Sequence, residues 1–400
     1  MHVFIITQYF PPEIGAAASR WGDFAKILSD KNHKVTILCE SPHYPNSTYF
    51  PGYNNQWMSI EQRYHNFTII RSKAYASDRK SFVKKIVHYL VFMVSAITNV
   101  KKVKNFDLLI ISSPPLFTGV IGLFIKRFYK KEFWLDIRDL WPDSVLALNQ
   151  LKKGRMFKYG KALERMIYKN AKGFIFPVPA FKDYLSKFPS DISSKPMIEL
   201  MNGVSKNFIY QASNFNAKNK KFTVLYSGNM GLAQDLKTII QAANLLSNYD
   251  IFFEIIGQGV CKTEIVNLAK NQEIKVRFFD SKPRKELIKS IMKSSICLVP
   301  LKNKKLFNYA LPSKMFEYMA CGKPVIIGVD GEAKKVLKKS RGGIFVKPED
   351  PVMLSKAILT YYNNNEKLSE HGINGLSYVT KNLEKEVLVS NLIDEVKKHS

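Results

Sequence analysis

Short apolar runs rich in β-branched and aromatic residues alternate along this chain with stretches of helical periodicity, and the alternation breaks once, near the middle. Residues 2–7, 34–39, 67–72, 107–112, 132–137, 173–177 and 196–202 read as strands, and helical patterns fill most of the gaps. Such alternation predicts an α/β architecture: a parallel sheet covered on both faces, with ligands bound outside the carboxyl ends of its strands. After Asn202-Gly203-Val204, the polar stretch 213–221 lacks apolar periodicity and reads as a linker. A second alternating block succeeds it, with strands at 222–227, 251–256, 274–280, 295–300, 324–329 and 343–346. Its helix at 235–247 places Leu236, Ile240, Ala243 and Leu246 on one face. No short-period repeat is present, which excludes a solenoid. The chain therefore predicts two Rossmann-like, doubly wound domains, and an interdomain cleft is the natural place for a ligand. One more amphipathic helix, at 383–398, ends it.

The 400 residues, 46% of them apolar, are enough for two or three cored domains. Four scattered cysteines, Cys39, Cys261, Cys297 and Cys321, form neither a metal-like pair nor a disulfide framework and read as free thiols in a reducing cytoplasm. The opening HVFIIT begins a buried strand directly, so no secretory signal is expected.

A formal charge of +28 draws the chain to anionic surfaces. Only eleven of the 61 basic residues are Arg, and no nucleic-acid module is written in the chain. A membrane surface is favoured over nucleic acid. The segment IVHYLVFMVSAITNV, residues 86–100, comes after Arg79-Lys-Ser-Phe-Val-Lys-Lys and precedes Lys101-Lys-Val-Lys. Fifteen residues fall short of the roughly 20 that span a bilayer. Two readings remain, a buried or subunit-packing helix and an interfacial helix near a lipid-linked acceptor. Lysines 152, 153, 158 and 161 around Met156 and Phe157 form a weaker second patch.

Chemistry concentrates in ALPSKMFEYMACGKPV, residues 310–325. Pro312 and Ser313 start a helix, and Met315, Phe316, Tyr318 and Met319 give it an apolar face. Unpaired amides and the positive helix end favour an anion such as a diphosphate, and Lys314 adds a full charge. Glu317, three residues on and on the same face, is an acceptor for paired hydroxyls such as those of a ribose; a surface ion pair is the plainer alternative. Two glycine-rich turns succeed strands of this block, Ser227-Gly228-Asn229-Met230-Gly231 and Gly257-Gln258-Gly259, and let backbone approach a ligand. In the first block, Gly15 and Ala16 do the same in the loop from Gln8 to the helix at 19–29. LDIRDLWPD ends a buried strand in charge. Arg138 there can hold a phosphate or orient Asp139, the nearest carboxylate to the expected reaction centre. Glu332 opens a further helix, as a cleft residue or as a dipole partner. No His, Asp and Glu cluster shows metal-ligand spacing, so no metal is expected.

Residues 310–325 resemble the donor-binding signature of the family 4 retaining nucleotide-sugar glycosyltransferases, which have the GT-B fold, and the resemblance covers most of the chain. It is most similar to the WbuB-like group of bacterial O-antigen and capsule transferases, whose members carry ALPSK-x-FEYMA-x-GKPV and RDLWP in almost these words. The resemblance implies an acceptor domain at 1–208, a nucleotide-sugar domain at 209–380, and a terminal helix at 381–400 crossing back onto the first. It implies Glu317, Arg138 and Asp139 as catalytic residues. It further implies Gly15, Ala16, Gly228, Asn229, Gly257, Tyr309, Leu311, Pro312, Ser313, Lys314, Glu317 and Glu332 as nucleotide-sugar contacts. Tyr309 stands where the family has the first of two glutamates, and Asn229 and Gln234 stand where it has diphosphate-binding Arg and Lys.

The chemistry implied is metal-independent, retaining transfer, in which the leaving phosphate deprotonates the acceptor. The donor is a UDP-sugar, a substrate and not a cofactor; no cofactor is needed. The sugar expected is an N-acetylated deoxyhexose such as N-acetylfucosamine, and the acceptor a saccharide on polyprenyl diphosphate at the inner membrane surface. The enzyme is then cytoplasmic and peripheral on that membrane, without a nucleic-acid partner. A nucleotide-sugar epimerase on the same scaffold and a basic nucleic-acid-binding protein are the alternatives.

Overall fold

The computed structural model describes residues 1–399 apart from 14, 45–46, 65, 77–81, 104, 148–152, 216–220, 271 and 273. It divides into two compact units, Met1–Met201 with Lys385–Ser400, and Asn202–Glu384.

The first unit begins β1 (His2–Ile6), α1 (Ala16–Asp30), β2 (Lys34–Glu40), β3 (Met58–Tyr64), β4 (Phe67–Ser72) and α2 (Phe82–Asn99). It continues β5 (Leu108–Ser113), α3 (Leu116–Tyr129), β6 (Trp134–Ile137), α4 (Asp143–Ala147) and α5 (Arg155–Asn170). Then come β7 (Gly173–Phe176), α6 (Phe181–Leu185), α7 (Ser190–Ser193) and β8 (Met197–Glu199). Its eight-stranded sheet has the order β3-β4-β2-β1-β5-β6-β7-β8. All neighbours pair in parallel except β3 and β4. The alternation of strands with helices thus gives a doubly wound sheet, and the hairpin strand β3 was missed. An antiparallel edge strand needs only a short turn and not a helical crossover, so nothing in the alternation announces it.

The second unit runs α8 (Lys206–Ser213), β9 (Phe222–Ser227), α9 (Leu236–Leu245), β10 (Ile251–Ile256), α10 (Lys262–Lys270), β11 (Val276–Phe279) and α11 (Arg284–Lys293). It goes on with β12 (Ile296–Pro300), α12 (Ser313–Ala320), β13 (Val325–Gly328), α13 (Glu332–Ser340), β14 (Gly343–Phe345), α14 (Pro351–Tyr362) and α15 (Asn365–Asn382). The six strands are all parallel, in the order β11-β10-β9-β12-β13-β14. Of the expected linker, residues 216–220 lie outside the described residues, and its start forms the end of α8, which Ser205 caps at the Phe208 amide.

The last helix, α16 (Lys385–Lys398), belongs to the first unit. Val389, Leu392, Ile393 and Val396 enter the same core as Trp21, Phe24 and Leu28 of α1. Burial of each such side chain stabilises by about 1.5–3 kcal/mol over exposure. Lys385 pairs with Asp23 of α1. Where the chain enters and leaves the second unit, its two strands lie side by side, with the Val204 amide donating to the Leu383 carbonyl at 2.8 Å.

Candidate active site

The helix α12 forms where the apolar face predicts it: Met315, Phe316, Tyr318 and Met319 are buried. Tyr318 pins it to the end of β9. The Ser227 amide donates to the Tyr318 hydroxyl at 2.8 Å, and that hydroxyl lies 3.2 Å from the Ser227 carbonyl. Pro312 occupies the N-cap, no side chain caps the helix, and the Met315 amide donates to the Pro312 carbonyl at 3.1 Å, so the Ser313 and Lys314 amides precede the first bond of the helix. Leu311 is buried, whereas Tyr309, at the end of a 3₁₀ turn, is half-buried along with Ser313 and Glu317.

Lys314 is the centre of this arrangement. Its Nζ sits 4.1 Å from the centroid of the Tyr226 ring and 3.4 Å from Gln234 Oε1, which also accepts from the Tyr226 hydroxyl at 3.3 Å. Burial pushes the Lys314 ammonium down to about 7, against the opposing field of Glu317. Gln234, in the place of an expected cation, therefore steers the cation that remains. A Cβ added at Gly228, whose φ is +132°, would stand 2.9 Å from Lys314 Nζ, so the lysine lies directly against this turn. Gly228 and Asn229 are exposed.

Gly257 is a different matter. A Cβ there would fall 1.9 Å from the Gly228 carbonyl oxygen at a φ of +149°. The close approach is of backbone to backbone, and two amide links, Gly228 to the Ile256 carbonyl at 2.9 Å and Met230 to that of Gln258 at 2.8 Å, join the turns. Gly257 is thus explained by the packing of two loops and not by a ligand. Glu332 is buried and accepts from Lys335 Nζ at 2.6 Å, which makes it the dipole partner of its own helix.

In the first unit, Arg138 and Asp139 come after β6 but do not pair. Arg138 Nη2 donates to the Pro114 carbonyl at 2.5 Å, its Nε is buried without a hydrogen-bond partner, and burial lowers its pKa. Asp139 accepts from the Leu140 amide at 2.8 Å and from Ser144 Oγ at 2.9 Å, and burial raises its pKa. That carboxylate caps the turn into α4, a structural task that the sequence reading did not give it. Neither does Arg138 orient it. Gly15 precedes α1 in extended backbone, and a Cβ there would meet Tyr44 at 3.7 Å, an ordinary contact. Ala16 is the first residue of α1, and Ile14 lies outside the described residues.

Residues 210–377 match the family model described as glycosyl transferases group 1. The putative colanic acid biosynthesis glycosyl transferase WcaI of Escherichia coli K12 is 21% identical, over 99% of this chain and 100% of its own. Among solved structures, sucrose-phosphate synthase of Thermosynechococcus elongatus superposes with a TM-score of 0.78 at 15% identity, covering 99% of this chain and 98% of that one. HepE of Anabaena, solved in complex with UDP-glucose, gives 0.72 at 12% identity, covering 100% of both chains. The protein is a glycosyltransferase of the GT-B fold.

Two further features of this glycosyltransferase lie in its first unit. On α2, Val83, Val87, Leu90 and Val94 are exposed in one stripe, while Phe92, Ser95 and Ala96 are buried. The segment Val83–Lys102 is long and apolar enough to cross a membrane, although a third of it is buried. An apolar pocket opens between α2 and α5, lined by Ile86, Tyr89, Phe117, Trp141, Met156 and Tyr159 among others. Lys161 is drawn off by Asp143 and Glu164, which weakens the second lysine patch; Lys152, like Arg79, Lys80 and Ser81, lies outside the described residues.

Sequence reasoning missed two polar clusters in the same unit. Asp136 accepts from Arg20 Nη2 and Trp21 Nε1, both at 2.9 Å, and from Ser112 Oγ at 2.8 Å. Glu40, His43 and His88 come within reach of one another although linear spacing shows no metal-like cluster. Only the register of the sheet, not local spacing, joins such residues.

Proposed function

We propose that the glycosyltransferase moves an N-acetylated deoxyhexose such as N-acetylfucosamine from UDP to a saccharide carried on polyprenyl diphosphate, with retention of configuration. In this reading it is a family 4 enzyme of the WbuB-like group, acting in O-antigen or capsule assembly at the cytoplasmic face of the inner membrane. The observation that carries the donor half is the start of α12, where uncapped amides and Lys314 Nζ converge beside the exposed Gly228 turn. HepE, solved with UDP and with UDP-glucose, supports the donor class, and WaaG, a glycosyltransferase involved in lipopolysaccharide biosynthesis, supports the pathway class.

Breaking the bond from sugar to diphosphate builds positive charge at the anomeric carbon and negative charge on the departing phosphate. Lys314 and the α12 amides meet that negative charge, and Glu317 holds the ribose hydroxyls. Tyr309, Leu311, Pro312 and Ser313 shape the approach, and Asn229 offers an amide side chain at the turn. In the first unit, Arg138 keeps a buried Nε–H without a hydrogen-bond partner. The leaving phosphate takes the acceptor proton.

The acceptor half rests on the apolar stripe of α2 and the adjoining pocket, which suit an interfacial helix and the first isoprene units of a lipid carrier. The test is direct. Purified protein is incubated with a panel of UDP-sugars and inner-membrane lipid extract, and UDP release is measured beside the thermal shift with UDP. Release that requires the lipid is expected; no release with any donor and no shift with UDP would sink the reading.

A further inference from the structure

One buried group of side chains in the first unit has no part in the transfer chemistry. Gln8 lies just beyond β1, Glu40 ends β2, His43 lies three residues after Glu40 and His88 projects from α2, and all four are fully buried. Ligand atoms of Glu40, His43 and His88 lie within 4.8 Å of one another.

The Gln8 amide bridges Glu40 and His88, and the Tyr9 hydroxyl lies 3.4 Å from His88 Nε2. His88 Nδ1 is 2.8 Å from the Tyr75 carbonyl. A carbonyl oxygen only accepts, so the neutral ring carries its proton on Nδ1 and its lone pair on Nε2. That nitrogen lies 3.4 Å from Glu40 Oε2. Zinc bonds of about 2.0–2.2 Å to nitrogen and oxygen set tetrahedral ligand separations of about 3.3–3.6 Å, so this pair stands at the spacing that two ligands of one ion require. His43 stands on the other side; its Nδ1–H donates to the Ser41 carbonyl at 3.0 Å, which leaves Nε2 as its ligand atom, and its ring centroid is 5.1 Å from that of His88.

Gln8 sharpens the case. Its Nε2 is 2.8 Å from Glu40 Oε2 and 2.7 Å from His88 Nε2, while its Oε1 is buried without a hydrogen-bond partner. Turning the amide over would relieve that oxygen only by aiming it at a carboxylate oxygen and a bare nitrogen. With the amide so turned, Gln8 Oε1, Glu40 Oε2 and His88 Nε2 would converge as three acceptors, an arrangement that a cation resolves. The Nδ1–H of His88 on a carbonyl is, besides, the outer contact that fixes a metal-ligating imidazole.

We propose that Glu40, His43 and His88, with Gln8 as the fourth donor, bind a divalent metal ion of the zinc class. Two imidazoles and one carboxylate match that class better than magnesium or calcium, which prefer an all-oxygen shell. The ion ties the loop after β1 and the end of β2 to α2, and so fixes the helix whose apolar stripe is exposed. The competing arrangement is the Gln8 amide donating to Glu40 and to a neutral His88, which needs no metal.

Untagged full-length protein, stripped with a chelator and dialysed, is titrated with zinc and with cobalt(II), with bound metal measured by elemental analysis and cobalt by its visible ligand-field bands. One equivalent of zinc, a tetrahedral cobalt spectrum and a raised Tm are expected. His88→Gln and Glu40→Gln should each weaken uptake by more than the roughly 10–100-fold that loss of an outer contact alone produces. Far-UV circular dichroism checks that the variants fold; if they do not, the wild-type titration decides alone. No stoichiometric uptake by the wild type would overturn the proposal, as would uptake unchanged in folded His88→Gln and Glu40→Gln proteins, which would place the ion on surface imidazoles.

Discussion

The two units share one architecture and use the ends of their strands differently. In the second unit the strand ends are built of backbone: glycines at positive φ, loop amides joined to loop carbonyls, with Tyr318 and Lys314 of α12 laid against them. In the first unit the strand ends are filled by side chains, with Asp136 holding Arg20 and Trp21, and Glu40 gathered with two histidines. A backbone-built site tolerates little added bulk and presents donors to an anion. A side-chain-built one tolerates bulk at its rim but not the loss of a charge from its interior.

The largest effect should come from that interior charge. Asp136→Ala leaves the buried Arg20 guanidinium without its carboxylate, and a loss of about 3–5 kcal/mol is expected in urea denaturation. A loss below about 1 kcal/mol would show that the first unit does not depend on this pair. Next comes the backbone site. Gly257→Ala drives a methyl into the Gly228 carbonyl and should cost about 2–4 kcal/mol of stability in the same assay, while Gly15→Ala should stay within about 0.5 kcal/mol. Similar losses at both positions would erase the contrast between the units.

Lys314→Gln should weaken UDP binding by about 1.5–3 kcal/mol in calorimetry, the range for a hydrogen bond to a charged group, with Lys304→Gln near wild type. Equal effects would refute the assignment of Lys314. The smallest effect is a pH dependence. Free Lys314 loses its proton near pH 7 and a bound diphosphate restores it, so UDP binding takes up a proton above that pH. Affinity should fall as pH rises from 7 to 9, by up to about tenfold per unit, and the slope should vanish in Lys314→Gln. A wild-type slope of zero would mean that the lysine is already charged before the nucleotide arrives.

The same division explains what could be read from sequence. The strands β9 and β10 fall on the residues expected of them, because each is a buried run bounded by turn formers. The doubly wound fold was legible in that alternation, and the transferase class in the resemblance that residues 310–325 carry. Lys314 and Glu317 could be read as a pair because helix geometry fixes which residues three apart share a face. Nothing local fixes Arg20 to Asp136, which are 116 positions apart, or Gln8 to His88, 80 apart. Asp139 misled for a related reason: a carboxylate after a strand looks the same in sequence whether it faces a substrate or a nearby amide.

The return of α16 to the first unit has a consequence for the order of synthesis. Because entry and exit strands lie together at Val204 and Leu383, the second unit is an insertion within the first and can fold as soon as its own residues have emerged. The first unit, though begun earlier, lacks Val389, Leu392, Ile393 and Val396 of its core until those residues have left the ribosome. The domain that starts first finishes last, and until then an apolar face of α1 waits uncovered.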